Sequence, residues 1–245
     1  MTSFYAHVTT FCNMSCAHCC FDYGNGKGGR HMSLNQIRRA LELNAKHGEH
    51  MMLGGGEITL HPEFEKIMAM VVSICPPKNG DPTVGIITNG SITDKALFIN
   101  DMGAKGLINA SLSYDQFHDP IDPNVTAIFK ARQERSWRTI LNGNIHTGKT
   151  TSLINSGRAK NLKSEYDLRD DCCCSAVSLY PSGIGRMCGC ANSTVITRNF
   201  MEDFQTEYRV DGYKYSCYKR YNKELKESIA RKERKAKQVL ELTHG

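Results

Sequence analysis

Residues 4–21 read FYAHVTTFCNMSCAHCCF, and the fold is best worked out from this stretch. Its first seven residues are mostly apolar or β-branched and predict a short strand. The strand runs into a loop that carries Cys12, Cys16 and Cys19, spaced C-x3-C-x2-C. Three thiolates on one tight loop suit a [4Fe–4S] cluster, which normally takes four cysteines, so one iron is left without a protein ligand. Cys20 adjoins Cys19 and is predicted to be a packing residue.

Strand and helix patterns alternate after this stretch. Further strands are predicted at 50–53, 83–88 and 106–113, with a weaker one at 136–141. Helices are predicted at 34–48, 62–75, 94–102 and 123–134. Alternation of this kind indicates βαβ units and a parallel sheet. There are too few strands for a closed eight-stranded barrel, so the predicted fold is α/β, a partial, open (β/α) TIM-like barrel.

Polar residues follow four of the predicted strands, namely Cys12, Glu57, Asn89 and Asp115. Parallel α/β folds place their sites at the carboxyl ends of strands. We therefore expect one site at one edge of the sheet.

The segment Gly54-Gly55-Gly56-Glu57 follows the second predicted strand. Glycines let a backbone pass close to a ligand. Together with C-x3-C-x2-C, this segment resembles the radical S-adenosylmethionine (radical SAM) enzymes. The resemblance implies that the three cysteines hold a [4Fe–4S] cluster whose open iron is chelated by SAM, and that the GGE residues contact the SAM ammonium. It also implies reductive cleavage of SAM to a 5′-deoxyadenosyl radical, which removes a hydrogen atom from a substrate. His18 departs from the family, in which many members have an aromatic residue at that position.

Three further segments resemble elements of the same family. Thr88-Asn89-Gly90 resembles its TNG turn, and Ser113-Tyr114-Asp115 its serine-x-aspartate element, so Asn89 and Ser113 are expected to bind SAM or the substrate. Residues 155–159, NSGRA, resemble its GRA segment, in which Arg158 is expected to pair with a carboxylate. Asp115 and His118 are candidate catalytic residues, with His118 as a proton donor or acceptor. For each segment alone, a turn or cap explains the pattern equally well.

A second group of cysteines lies near the C-terminal end. Residues 172–190, CCCSAVSLYPSGIGRMCGC, are consistent with a hairpin turning at Pro181-Ser182-Gly183. A three-residue turn there sets Cys174 opposite Cys190, whereas a two-residue turn places Cys173 on the same face as Cys188 and Cys190. The pattern resembles the SPASM or shorter twitch extension of radical SAM enzymes, which implies an auxiliary [4Fe–4S] cluster. Its expected ligands are Cys188, Cys190, Cys217 and one of Cys172, Cys173 and Cys174. Zinc on the same thiols is the alternative.

Two other motifs in the sequence allow different interpretations. Cys16 and Cys19 could form a zinc pair with two of the later cysteines, but zinc leaves the GGGE segment unexplained. GNIHTGKT, at 143–150, fits the phosphate-binding pattern G-x4-G-K-[ST]. The residues after it are poor helix formers, and the chain after it is too short for a nucleotide-hydrolase sheet.

Composition limits the classes of protein. Eleven cysteines in clusters, without the basic and apolar regions of a signal peptide, favour metal or redox chemistry in the cytoplasm. No apolar run reaches the roughly 18 residues of a membrane span. The net charge of +6 arises from residues 219–237, which carry nine Lys or Arg and three Glu. A charged helix is predicted at 219–242.

We expect three parts: a partial barrel at 1–160, a twitch-like extension at 161–218 and a basic helix at 219–245. The resemblance implies flavodoxin or ferredoxin as electron donor, and a peptide, small metabolite or nucleotide as substrate. A basic helix is most often a solvated face, although a nucleic-acid substrate would use one. The alternative function is a non-catalytic, zinc-stabilised protein that binds nucleic acid.

Overall fold

A computed structural model of the chain describes residues 2–24, 26–135, 152–154, 157–162, 167–169, 176–186 and 195–202. Its strands are β1 (Thr2–Thr9), β2 (Gly48–Gly55), β3 (Val84–Thr88), β4 (Asn109–Leu112), β5 (Ser152–Ile154), β6 (Asp167–Arg169), β7 (Ala176–Leu179), β8 (Gly185–Arg186) and β9 (Val195–Thr197). Its α-helices are α1 (Leu34–His47), α2 (Phe64–Ile74), α3 (Thr93–Ala104) and α4 (Pro123–Arg135). Short 3-10 helices lie at Ile58–Leu60 and Ala159–Leu162.

The main sheet has the strand order β4-β3-β2-β1-β7-β8-β9. The pairings from β4 to β7 are all parallel, whereas β8 and β9 are antiparallel to their neighbours. Strands β5 and β6 form a separate parallel pair. The prediction of an α/β fold with a mostly parallel sheet is therefore confirmed.

The register of the parallel strands brings their carboxyl ends to one edge. Ala6 pairs with Leu53, Leu53 with Ile86, and Ile86 with Ala110. From this common level, each strand ends within a few residues, at Thr9, Gly55, Thr88 and Leu112. The loops that carry the predicted site residues therefore start side by side.

Apolar residues of the strands and helices form the core under this edge. Val8, Leu53 and Ile86 of the sheet pack in one buried cluster with Ile37 and Leu41 of α1. Helix α1 begins at a capping box, in which the Gln36 N–H donates to Ser33 Oγ and the Ser33 N–H donates to Gln36 Oε1. Burying these faces fixes the strand register, because a slip of one residue would turn the apolar side chains outward.

The hairpin is where predicted, but it also joins the main sheet. Ser178 pairs with Arg186 and Leu179 with Gly185, which is the register of a three-residue turn at 181–183. In addition, β7 pairs in parallel with β1, a contact that the sequence pattern did not indicate. The cysteines predicted to bind the auxiliary cluster, at 172, 173, 174, 188, 190 and 217, lie outside the described residues.

Several element boundaries differ from the prediction, and two of them have a clear physical reason. The strand predicted at 106–113 occupies only Asn109–Leu112, because Gly106 takes a φ of 70° in the turn that follows α3. Helix α2 begins at Phe64 instead of Pro62, after a turn closed by the Phe64 N–H and the His61 carbonyl. The predicted strand at 136–141, the GNIHTGKT segment and the basic helix at 219–242 lie outside the described residues. In the described part of the chain, no helix has the length and apolar character needed to span a lipid bilayer.

Candidate active site

Four cysteines of the loop after β1 line one cavity, and three of them, Cys12, Cys16 and Cys19, are the predicted cluster ligands. Cys16 is buried, Cys12 and Cys19 are partly exposed, and all three are free thiols. The cavity measures about 230 Å³, and we call it the cysteine cavity. The predicted site residues that line it are Cys12, Cys16, Cys19, Gly55, Gly56, Glu57, Asn89, Ser113 and His118. The cavity thus brings together residues that lie 90 or more positions apart in sequence. The sequence predicted this grouping, because the strands were expected to end at one edge of the sheet.

The glycine segment after β2 packs directly against the cysteine loop. The Gly56 N–H donates to the Thr9 carbonyl at 2.8 Å, and the Glu57 N–H donates to the Phe11 carbonyl at 2.7 Å. A Cβ atom at Gly56 would overlap the Phe11 carbonyl, and one at Gly55 would overlap the Thr9 carbonyl. Glycine is required because two backbones meet here, so the segment sets the position of the residues around Cys12.

The Glu57 side chain joins the ends of β2 and β3. It is 1% exposed, and its Oε1 accepts hydrogen bonds from the Thr59 N–H, the Thr59 hydroxyl and the Thr88 hydroxyl. Its Oε2 accepts from the Asn89 N–H at 2.7 Å. Burial raises the pKa of Glu57, and these hydrogen bonds offset part of that rise. The carboxyl group is therefore a bridge between two strand ends.

Asn89 connects the end of β3 to the cysteine loop. Its Nδ2 donates to Cys12 Sγ at 3.8 Å and to Asn13 Oδ1 at 3.1 Å. Its Oδ1 accepts from the Ser91 N–H at 3.0 Å. The sequence predicts that Asn89 binds SAM or the substrate, and the structure places it in the cavity wall with its amide N–H directed at Cys12.

Asp115 lies between two histidines at the end of β4. Asp115 Oδ1 is 2.8 Å from His118 Nδ1, and Asp115 Oδ2 is 3.3 Å from His18 Nε2. Burial alone would raise the pKa of Asp115, but hydrogen bonds from His118 and the Phe117 N–H outweigh it, so the pKa lies below its ordinary value. His118 Nε2 in turn lies 3.4 Å from Ser113 Oγ. Asp115 does not line the cavity itself, but it orients His118, which does.

His18 has a role that the sequence did not reveal. Its ring stacks on Phe117 with 4.7 Å between centroids, in addition to its contact with Asp115. Burial lowers the pKa of His18, although the nearby Asp115 charge opposes this. The residue before Cys19 thus attaches the cysteine loop to the end of β4.

Arg158 supports the cysteine loop from outside the cavity. Its backbone N–H donates to the Cys19 carbonyl, and its Nε donates to the Cys16 carbonyl at 2.9 Å. The guanidinium also donates to Asp22 Oδ1 at 3.1 Å and to the Tyr23 carbonyl at 2.8 Å. The carboxylate that pairs with Arg158 is that of Asp22, and the expectation that Arg158 binds a cofactor stays a prediction. Gly54 also lies outside the cavity lining, where a Cβ atom would meet the Tyr5 hydroxyl.

Aromatic residues on the cavity wall were missed from the sequence. Tyr5, Phe21 and Tyr23 line the cavity, and the Tyr5 hydroxyl accepts a hydrogen bond from the Gly55 N–H at 3.1 Å. A signal was present in β1, where Tyr5 and His7 alternate with the buried residues Phe4, Ala6 and Val8. That alternation places both rings on the opposite face from the core side chains.

The donor set fits an iron–sulfur cluster with one open position. Burial raises the pKa of Cys12, and raises that of Cys16 to about 12, so without a metal these groups are protonated thiols. Binding of a soft metal converts such thiols to thiolates and releases their protons. Three cysteines face one cavity that also has the polar ends of β2, β3 and β4 on its walls, which leaves room for a second ligand beside the sulfur atoms.

Known proteins support the same interpretation. The Radical SAM superfamily matches residues 7–162 of the chain. Over 115 residues, the chain is 29% identical to the putative peptide biosynthesis protein YydG of Bacillus subtilis (strain 168), a match that covers 44% of this chain and 34% of YydG. The chain thus spans about a third of that relative.

Two solved structures share the fold. Streptococcus suis SuiB bound to S-adenosylmethionine gives a TM-score of 0.53 at 11% identity, over 87% of this chain and 66% of SuiB. The protein anSMEcpe with bound AdoMet gives a TM-score of 0.51 at 13% identity, over 90% of this chain and 82% of that protein. At these identities the likeness concerns the fold alone. The family match, by contrast, spans more than half of the chain and includes the three cysteines and the GGGE segment, and the chain therefore belongs to the radical SAM superfamily.

Proposed function

We propose that this protein cleaves SAM reductively and uses the resulting 5′-deoxyadenosyl radical to remove a hydrogen atom from a peptide. The observation that carries the proposal is the meeting of three free cysteines with the ends of β2, β3 and β4 around one cavity. A [4Fe–4S] cluster and SAM, which the family implies, supply the electron and the radical when bound.

The residues of the chain have separable tasks in this proposal. Cys12, Cys16 and Cys19 hold the cluster, and the backbone of Gly55 and Gly56 forms the wall for the SAM ammonium. Asn89 donates to Cys12 Sγ, and Ser113 and His118 offer hydroxyl and imidazole groups to SAM or the substrate. The aromatic side chains Tyr5, Phe21 and Tyr23 form part of the cavity wall.

A peptide is the proposed substrate class. YydG is a putative peptide biosynthesis protein, and SuiB has also been solved with the precursor peptide SuiA. Small metabolites and nucleotides are the other substrate classes that the family resemblance allows.

Three finer features complete the proposal. The parallel sheet is an open (β/α) barrel, and the hairpin of β7 and β8 belongs to a twitch-like extension. The extension binds an auxiliary [4Fe–4S] cluster through Cys188, Cys190, Cys217 and one of residues 172–174, with zinc as the alternative metal. Flavodoxin or ferredoxin delivers the electron in the cytoplasm. The family match does not favour the other function considered, a zinc-stabilised protein that binds nucleic acid.

Anaerobic reconstitution with iron and sulfide tests the proposal. The wild-type protein is expected to turn brown and, with dithionite and SAM, to release 5′-deoxyadenosine. Cys12→Ala is expected to lose the site-differentiated cluster and the release of 5′-deoxyadenosine. Cys20→Ala is the matched control, because Cys20 lines the same cavity and is not an expected ligand. A colourless wild-type protein, or equal SAM cleavage by Cys12→Ala, would contradict the proposal.

A further inference from the structure

A second cavity adjoins the cysteine loop and measures about 490 Å³. Three separate segments of the chain line it, namely residues 20–23 after the third cysteine, Gly157 and Lys160, and the hairpin from Tyr180 to Arg186. We call it the hairpin cavity, because the turn between β7 and β8 forms one of its sides.

Aromatic rings form much of the wall of this cavity. Phe21, Tyr23 and Tyr180 line it, and each of these side chains is partly exposed. The rings of Phe21 and Tyr23 stack with 5.7 Å between centroids and an interplanar angle of 28°. Ile184 of the hairpin adds a partly exposed branched side chain. Large apolar side chains from two distant segments thus face one space, which is typical of a site for the apolar part of a ligand.

A buried histidine of β1 supports all three rings. His7 is fully buried, and its ring stacks on Tyr180 with 4.3 Å between centroids and an interplanar angle of 10°. The His7 ring also makes edge contacts with Phe21 at 4.7 Å and with Tyr23 at 5.8 Å between centroids. The Tyr23 hydroxyl lies 3.3 Å from His7 Nδ1. The wall is therefore held by the sheet before a ligand binds, which lowers the entropic cost of binding.

The carboxylate of the lining already has cationic partners. Asp22 Oδ2 lies 2.5 Å from Lys27 Nζ, and Asp22 Oδ1 lies 3.1 Å from the Arg158 guanidinium. Asp22 therefore does not require a cationic ligand. Lys160 is exposed, so its ammonium group can stay in water while its methylene groups pack beside an apolar ligand.

The hairpin cavity is continuous with the cysteine cavity. Cys20, Phe21 and Tyr23 line both cavities. A ligand in the hairpin cavity therefore lies beside the place where, in the proposed function, the radical forms. An extended peptide has about 3.3 Å per residue, so a neighbouring residue of the same peptide can enter the cysteine cavity. This continuity assigns the cavity to the substrate.

We propose that the hairpin cavity binds a large apolar side chain of the substrate peptide, close in sequence to the residue that is modified. The proposal rests on the proposed function, because it assigns part of the peptide substrate. A Leu, Ile, Phe or Met side chain that enters the cavity removes its own apolar surface and that of the aromatic wall from water. The rings add van der Waals contact, and an aromatic side chain can also stack on them.

Retention of peptides by the reconstituted holoenzyme tests this inference. The probe is a pool of random hexapeptides, N-acetylated and C-amidated so that the termini carry no charge. The pool is incubated anaerobically with the enzyme and saturating SAM, without reductant, and the peptides retained on ultrafiltration are identified by mass spectrometry. We expect Leu, Ile, Phe and Met to be enriched about tenfold over Ala and Ser, the effect of burying roughly half of such a side chain.

A variant that fills the hairpin cavity separates it from the cysteine cavity. Ser182 is exposed and lines the hairpin cavity, and Ser182→Trp is expected to occupy the cavity and abolish the apolar preference. Ser73→Trp is the matched control, because Ser73 is exposed on α2, and it is expected to keep the preference. Ile184→Thr keeps the branched shape but adds a hydroxyl group, and should weaken the preference about threefold. Thermal melting of each variant checks that a loss does not come from unfolding.

Three results would overturn the inference. They are an absence of apolar enrichment, equal enrichment by Ser182→Trp and Ser73→Trp, and displacement of the peptides by adenosine but not by N-acetyl-leucinamide at the same concentration. The last result would assign the cavity to a nucleoside, whose base also stacks on aromatic rings. Release of 5′-deoxyadenosine is measured after dithionite is added to the same samples. SAM cleavage without an apolar preference counts against the inference alone, whereas an apolar preference without SAM cleavage counts against the proposed function alone.

Discussion

The cysteine cavity and the hairpin cavity share a wall, yet their lining groups are held in different ways. Around the cysteine cavity, polar side chains at the strand ends bind one another, as the Glu57 carboxylate does with Thr88 and Asn89. Around the hairpin cavity, Lys160 and Arg186 come from a 3-10 helix and a hairpin that dock on the cysteine loop. The groups around the cysteine cavity are therefore fixed by the sheet itself, whereas Lys160 and Arg186 are placed by segments that dock on the cysteine loop.

The contact between the two backbones at Gly56 gives the strongest test of this division. In Gly56→Ala the new Cβ would overlap the Phe11 carbonyl, which belongs to backbone and must move. We expect a loss of about 3 kcal/mol in the free energy of unfolding, the upper end for an overpacked site. SAM cleavage is expected to fall at least 100-fold, because the loop with Cys12 is displaced. Urea denaturation and release of 5′-deoxyadenosine measure the two effects.

Gly28→Ala is the control for Gly56→Ala. Gly28 lies in the same loop region, and a Cβ atom there meets no other atom within 4 Å. Its stability and SAM cleavage are expected to match those of the wild type. If Gly56→Ala matches Gly28→Ala in stability and SAM cleavage, the backbones of Gly56 and Phe11 are not in close contact. The difference described between the two cavities would then have no support.

Glu57→Gln tests whether the strand ends depend on a carboxylate. Four N–H or O–H groups donate hydrogen bonds to the two carboxylate oxygens of Glu57. In Glu57→Gln an NH2 group replaces one of these oxygens and cannot accept, so at least one of the four donors loses its acceptor. We expect a cost of about 2 kcal/mol in the free energy of unfolding. SAM affinity, followed by equilibrium dialysis, should weaken, while retention of apolar peptides should not. A variant with wild-type stability would show that the bridge between β2 and β3 is not needed.

The sequence predicted the cysteine cavity well, for a physical reason. Strand periodicity locates the carboxyl ends, and parallel strands place those ends at one edge, so Cys12, Glu57 and Asn89 could be grouped without coordinates. The pairing of β7 with β1 could not be predicted, because it joins segments about 170 residues apart and nothing in their patterns specifies a partner.

Arg158 and the hairpin cavity show a second limit of sequence reasoning. The position of Arg158 under the cysteine loop follows from how residues 157–162 dock, and not from a local pattern. Its Nε donates to the Cys16 carbonyl, although the two residues lie 142 positions apart. The lining of the hairpin cavity depends on the same docking, so the site was not visible in the sequence.

His7 stacks on Tyr180, and its buried imidazole makes the stability of the protein depend on pH. Burial lowers the pKa of His7 from 6.5 to about 3, and Nε2 has no hydrogen-bond partner among the described residues. The unfolded chain therefore binds a proton that the folded chain excludes, and stability falls as the pH drops below about 6.5. Between pH 7 and pH 5.5 we expect His7 to account for a loss of about 1 kcal/mol.

His7→Phe isolates this contribution, since the other histidines titrate equally in both proteins. Urea denaturation at the two pH values is expected to show a smaller loss in the variant, by about 1 kcal/mol. The aromatic contact with Tyr180 is retained by phenylalanine, so peptide retention at pH 7 should change little. An unchanged pH dependence would mean that His7 is not buried as a neutral group and that the wall of the hairpin cavity is supported in another way.

Arg158→Lys has the smallest expected effect of these substitutions, and we expect it to affect both cavities. Arg158 binds the carbonyls of Cys16 and Tyr23 and the carboxylate of Asp22, and so holds the loop that divides the cavities. A lysine keeps the charge but cannot reach three acceptors in the planar arrangement of a guanidinium. We expect SAM affinity and the preference for apolar peptides each to fall about threefold, or about 0.7 kcal/mol. Lys27→Ser, which removes the other partner of Asp22, should leave SAM affinity unchanged. If Arg158→Lys weakens only one of the two activities, the shared wall moves as two independent parts and the cavities are less closely coupled than their common residues indicate.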